Sequence, residues 1–180
     1  GEFARATFEE LGWDEKYGES DDDRERRTTA LSLMMYSEDK EVLNEAKTRF
    51  DNNKLEDLPT ELRALIISAN VRHFETPEMI ENLFAAYKNT PSNDLQNDIT
   101  IGLTSTKNPE TAEKILANIK DSNIIRPQDA SRWFVYLIRT RESRQIAWNW
   151  LKENWAWVEG TFGEDKSYDD FIRYRSEEHT

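Results

Sequence analysis

Apolar side chains along this chain fall into short clusters at helical spacing. Ala30, Leu31, Leu33, Met34 and Met35 mark a helix over residues 22–36. Val42, Leu43, Ala46 and Phe50 mark the next, with Ser37-Glu38-Asp39 placed to cap it. Trp133, Phe134, Tyr136, Leu137 and Ile138 form another stripe. Ile146, Ala147, Trp148, Leu151, Trp155 and Val158 predict one following helix, stopped by Gly160 and Gly163. Tyr168, Phe171, Ile172 and Tyr174 predict a last helix near 166–176.

The polar punctuation agrees. Glycine is absent from Glu19 to Ile101 and from Leu103 to Glu159, and valine occurs only four times, a combination that favours helix over strand. All five prolines, at 59, 77, 91, 109 and 127, stand where a helix can begin, and Thr76, Thr90 and Asn108 precede three of them as candidate caps. Proline suits a first helical turn because its missing N–H would be unpaired there anyway. Alternate prolines recur after 32, 32 and 36 residues, room for two helices of about three turns with short loops. A period in the thirties built from two helices is the signature of stacked helical hairpins, each burying its apolar face against its neighbours. The expectation is an all-α solenoid of antiparallel helix hairpins with nine or ten helices, forming one domain over residues 4–175. Gly1-Glu2-Phe3 reads as a cloning scar, and 176–180 as a charged tail.

Composition narrows the function. The 36 acidic and 24 basic side chains leave a formal charge of −12. Residues 1–60 carry 17 acids and 9 bases, 61–120 carry 8 and 6, and 121–180 carry 11 and 9, so no third is basic. Nucleic-acid and anionic-membrane binding both start from clustered Lys and Arg, and neither is expected here. No apolar run approaches the ~20 residues needed to cross a bilayer. The absence of cysteine excludes disulfides, thiolate metal sites and a cysteine nucleophile, and fits a reducing cytoplasm.

Candidate chemistry is sparse. The two histidines, His73 and His179, do not make a His-Glu-x-x-His pair, and His73 lies at a helix end where it suits the last carbonyls. No serine stands between nucleophile-elbow glycines, and no two glycines have phosphate-loop spacing. Asp21-Asp22-Asp23 before Arg24-Glu25-Arg26-Arg27 reads as acids at a helix N-terminus rather than as catalytic carboxylates. Trp148 and Trp155 share a helical face with Leu151 and Val158, which predicts packing. Trp150 and Trp157, on the other side, pack against the final helix or lie at an interface through which the isolated chain self-associates. Arg126, Arg132, Arg139, Arg141 and Arg144 gather around the penultimate hairpin, most of them expected to be solvated or paired with local acids such as Asp129 and Glu142. An arginine on the inner face of a helical stack suits bidentate capture of a peptide carboxylate.

Arg126-Pro127-Gln128-Asp129, Ser143-Arg144 and the run Ala147-Trp148-Asn149-Trp150-Leu151-Lys152-Glu153-Asn154-Trp155, ending near Phe162, resemble the C-terminal segment of the aminopeptidase N family of zinc metallopeptidases. Leu11-Gly12-Trp13, Glu19-Ser20, Arg26, Leu58-Pro59 with Arg63, and Gly102-Leu103 agree with it, so the resemblance covers about Ala4 to Arg175. It implies a HEAT- or armadillo-like right-handed superhelical bowl closing over a thermolysin-like catalytic domain of the same polypeptide. It also implies a full-length enzyme that removes N-terminal amino acids from peptides with a zinc-activated water. The His-Glu-x-x-His helix, its downstream Glu and the Gly-Ala-Met-Glu-Asn stretch of such enzymes do not occur in this chain. The expectation is therefore a non-catalytic, inactive domain without a metal or cofactor of its own, which encloses the active site and limits peptide access. Arg126, Gln128 and Asp129 are its expected substrate contacts, because a helix N-terminus with adjacent polar groups suits a peptide end. The alternative is a stand-alone helical-repeat interaction scaffold, since fold alone does not fix function.

Overall fold

A computed structural model describes residues 2–176. Among these residues the chain forms eleven α-helices, one short 3-10 turn over Leu55–Asp57 and no strand. The helices are α1 (Glu2–Leu11), α2 (Asp21–Tyr36), α3 (Lys40–Asn52), α4 (Thr60–Phe74), α5 (Pro77–Asn89) and α6 (Asn93–Thr104). They continue with α7 (Pro109–Ile119), α8 (Pro127–Arg139), α9 (Arg144–Glu153), α10 (Trp155–Phe162) and α11 (Ser167–Ser176). None is long and apolar enough to cross a membrane.

Eleven is more than the expected nine or ten, and two helices account for the difference. The first is α1, whose apolar stripe of Ala4 and Leu11 is buried together with Thr7; it opens at Glu2, inside the segment read as a cloning scar. The second comes from a break at Asn154 in the helix expected to run from 146 to 158. Asn154 sits at φ −109°, ψ 17°, and both its backbone N–H and its side-chain amide donate to the Trp150 carbonyl at 2.9 Å. A side chain that competes for a carbonyl four residues back is a known disruptor of helical continuation. Gly160 lies inside α10 instead of stopping it; Gly163 ends it, with its N–H bonded to the Glu159 carbonyl. The tail residues 177–180, with His179, and Gly1 lie outside the described residues.

The start signals work mostly as expected. Thr76 caps α5 by accepting from the Met79 N–H at 3.1 Å, with Pro77 in the first turn. Asn108 caps α7 at the Glu110 N–H, and Asp39 caps α3 at the Val42 N–H. At Pro91 the start shifts: Ser92, not Thr90, caps α6 at the Leu95 N–H, and the Thr90 hydroxyl instead accepts from the Ser92 N–H.

The chain gathers into two compact units, Gly1–Phe74 and Glu75–Thr180, and the expected domain of residues 4–175 spans both. In the first unit α1 packs on α2, α3 on α4, and α2 also touches α3 and α4. Its core joins Ala4, Leu31, Met34, Val42, Ala46, Leu62 and Ile66. In the second unit α5 packs on α6 and α7 on α8, while α8 also meets α6, α9 and α11, and α9 meets α7. Within the units, helices two apart that touch are α2 with α4, α6 with α8, α7 with α9 and α9 with α11. The helix starts carry the same period: α4, α6 and α8 begin at 60, 93 and 127, and α5 and α7 at 77 and 109. Side-chain hydrogen bonds between helices, helix ends and loops within each unit have similar separations, 35 residues for Arg49 to Asp14, 34 for Lys120 to Asn154, 36 for Thr140 to Thr104 and 35 for Arg139 to Tyr174.

Candidate functional site in the second unit

The N-terminus of α8 brings the three expected contact residues together. Arg126 has extended backbone (φ −62°, ψ 140°) before Pro127, which fixes the first helical turn, so Arg126, Gln128 and Asp129 project around one helix start. They line a cavity of about 390 Å³ with Tyr87, Asn93, Gln96, Thr100 and Arg132. Arg126 Nε donates to Asp129 Oδ2 at 2.9 Å, and the Tyr87 hydroxyl donates to the same oxygen at 3.0 Å. Arg126 Nη2 donates to Gln96 Oε1 at 2.7 Å, and Gln96 Nε2 donates back to the Tyr87 carbonyl at 3.1 Å. Tyr87 and Gln96, on α5 and α6, were not expected from sequence. Their signal lies in the helical period, which sets the first turn of α6 beside the start of α8.

Beneath this polar rim lies an aromatic floor. Trp133 is fully buried, stacks on Phe84 at 5.7 Å between centroids and meets the Tyr87 ring edge-on at 5.1 Å. Tyr87 is only 2% exposed, and burial raises its phenol above the ordinary tyrosine value, so it stays a hydrogen-bond donor at neutral pH. The Asp129 carboxylate raises the Arg126 guanidinium further above its ordinary value, fixing its charge. The lining thus carries two guanidiniums, of Arg126 and Arg132, against one carboxylate that is already engaged. In a chain of net charge −12 this is a local site suited to an anionic group such as a carboxylate.

The other singled-out residues have separate surroundings. Arg139 Nε donates to the Tyr174 hydroxyl at 2.8 Å, and Arg144 donates to the Ile138 and Arg139 carbonyls, so these two arginines serve the end of α8. Leu151 and Val158 are buried as expected, whereas Trp148 and Trp155 are half-buried, Trp148 beneath Lys152 and Trp155 against Tyr168 of α11. The break at Asn154 ends the single face on which the four residues are expected to align, leaving Trp148 and Leu151 on α9 and Trp155 and Val158 on α10. Trp150 and Trp157 meet each other edge-on at 6.0 Å, Trp150 also leaning on Phe134 and Trp157 on Phe162. In the first unit, Asp23 completes a capping box with Ser20, and Asp21 pairs with Arg24 at 2.5 Å. The acid run therefore starts α2. His73 occupies the last turn of α4. No group of three or more His, Asp or Glu side chains among the described residues is placed to hold a metal ion.

Comparison with known proteins follows the same residues. The model of the ERAP1-like C-terminal domain matches residues 2–178. Aminopeptidase N of Lactococcus lactis subsp. lactis is 31% identical over 167 residues, covering 92% of this chain and 20% of that protein. Aminopeptidase N of Lactobacillus helveticus is 30% identical over 90% of the chain and 19% of its own length, and human glutamyl aminopeptidase is 26% identical over 73% and 14%. The chain thus spans about a fifth of the length of the bacterial relatives. With the helix starts, the Arg126–Asp129 corner and the tryptophan-rich α9 all falling inside the matched residues, the chain belongs to the ERAP1-like C-terminal domain family and is a C-terminal domain of the aminopeptidase N family.

Proposed function

We propose that this chain is the non-catalytic C-terminal domain of a zinc-dependent aminopeptidase that removes N-terminal amino acids from peptides. Its part is to enclose the active site and limit access to peptides, and its helix hairpins continue as a HEAT- or armadillo-like solenoid. The observation that carries this reading is the family match over residues 2–178, among relatives about five times as long. In this reading zinc belongs to the full-length enzyme and is held outside this chain. The domain's own contribution in this reading is positional, which predicts that the chain alone is inactive. Its partners are the catalytic domain of the same polypeptide and peptide substrates, in the cytoplasm.

Within that reading, the cavity at the start of α8 receives the carboxyl-terminal end of a peptide. Arg126, held by Asp129 and Gln96, meets its charge; Gln128 supplies a neutral polar contact; Asp129 orients the guanidinium instead of touching the anion. A contact far from the scissile bond acts on ground state and transition state alike, so its loss raises KM and leaves kcat unchanged. The test is steady-state kinetics of Arg126→Ala in the intact enzyme, on peptides with free and with amidated C-termini. The expected result is KM raised about tenfold for the free acids only, the size of one charge-assisted contact. An unchanged KM for both series would remove the assignment.

A further inference from the structure

A second cleft, of about 330 Å³, opens where α7 meets α9 and is lined by Glu113, Leu116, Ile146, Asn149, Trp150 and Glu153. Its floor is apolar: Leu116 is buried, and Ile146 and Trp150 are half-buried. The Trp150 ring meets Phe134 at a tilt of 37° and Trp157 edge-on, both at 6.0 Å between centroids. Both glutamates are exposed at the rim, and neither has an ion-pair partner among the described residues. The lysines nearby are engaged elsewhere. Lys114 reaches Glu81 at 3.6 Å, Lys120 donates to Asn154 and lies over the Trp157 ring, and Lys152 lies over Trp148.

An apolar and aromatic floor beneath two unpaired carboxylates is complementary to a cation carried on an alkyl stem. We propose that this cleft binds the arginine side chain of an extended peptide segment. The stem covers Leu116 and Ile146, the guanidinium plane lies on the Trp150 ring, and its edge donates to Glu113 and Glu153. Arginine fits better than lysine because a planar guanidinium stacks and forms forked hydrogen bonds at once, whereas an ammonium is a compact, strongly hydrated charge. The binding is independent of the peptide-end site at α8, which is lined by different residues and selects the opposite charge.

The test titrates N-acetyl-arginine methylamide into the 180-residue chain at low ionic strength. The readout is the Trp150 indole N–H resonance, identified by its loss in Trp150→Phe; if that variant does not fold, the backbone amide of Asn149 serves instead. A saturable shift is expected in the millimolar range, weakened about threefold by Glu113→Gln or Glu153→Gln and about tenfold by both, as for solvent-exposed ion pairs. The isosteric but neutral citrulline compound should give no saturable shift. Absence of saturation, equal binding of the citrulline compound, indifference to the double substitution, or equally tight binding of the lysine compound would each overturn the proposal.

Discussion

The two units of this chain are held together by different chemistry. In residues 1–74, arginines tie the helices and loops to carboxylates: Arg5 to Asp39 and Glu41, Arg24 to Glu15 and Asp21, Arg26 to Glu10 and Asp23, Arg49 to Asp14 and Glu45. Arg27 and Glu19 are paired in the interior, at 1% and 7% side-chain exposure. In residues 75–176 rings carry more of the packing, with Phe84, Tyr87 and Trp133 in one stack and Phe134, Phe162 and Phe171 in another, beside the Arg126–Asp129 and Lys114–Glu81 pairs. Aromatic burial is insensitive to salt and acid, whereas ion pairs are screened and titrated. The buried, uncharged rings lie under the cavity that carries the candidate contacts, and Tyr87 joins the two, with its ring against Trp133 and its hydroxyl on Asp129.

The largest expected effect breaks the aromatic side of that comparison. Trp133→Ala empties a fully buried site between Phe84 and Tyr87 and should cost about 3–5 kcal/mol in denaturant unfolding. It should also loosen the Arg126 corner, because Tyr87 loses the ring it stands against. Hydrogen exchange read helix by helix should locate the loss in α5, α6 and α8; an equal loss of protection in α2 to α4 would erase the distinction between the units. A smaller effect comes from Gly163→Ala. A β-carbon there would collide with the Glu159 carbonyl oxygen, so the end of α10 must shift, at about 1–3 kcal/mol. A substitution that left stability unchanged would show that this end yields freely. Next in size is Asp39→Ala, which removes the cap from α3 and one partner of Arg5, at about 1 kcal/mol on the charged side of the comparison.

Much of this architecture was legible in the sequence, and the misses are instructive. The prolines and capping residues placed α5, α7 and α8 because both signals are local to the first turn. Asn154 defeated the same approach: its neighbours kept a helical apolar pattern, while its own side chain took the Trp150 carbonyl and ended α9. Arg126 and Asp129 were readable as a pair because they are three residues apart. Tyr87 lies 42 residues from Asp129 and Gln96 lies 30 from Arg126, so their meeting depends on how hairpins stack, which a period indicates but does not assign to residues. The second cleft escaped for the same reason: Glu113 and Glu153 belong to helices that meet only in the folded unit.

The smallest effects sharpen the comparison without changing a residue. Hydrogen bonds from Arg49 to Asp14, from Ser20 to Asp23 and from Arg27 to Glu19 hold these three carboxyls below their ordinary values. A carboxyl depressed in the folded state contributes stability that is fully present above its unfolded value, about 4, and is lost as pH falls through the folded value. Residues 1–74 should therefore weaken progressively below about pH 4. In the second unit the burial-raised phenol of Tyr87 acts at the other end of the scale. Its contribution is complete below about pH 10 and is lost only as pH rises through the higher folded value. Amide resonances followed down the acid limb should disappear in α2 and α3 before α8. Because several of the pairs are exposed, such as Arg24 with Glu15 at 41% and 43%, molar salt at neutral pH should reproduce part of the same ordering, with the smallest effect of the series. Acid and salt act on ion pairs through independent routes, protonation and screening. Agreement between them would assign the weakness of the first unit to its arginine–carboxylate pairs, whereas loss of α8 first under either condition would refute the contrast between a charged unit and an aromatic one.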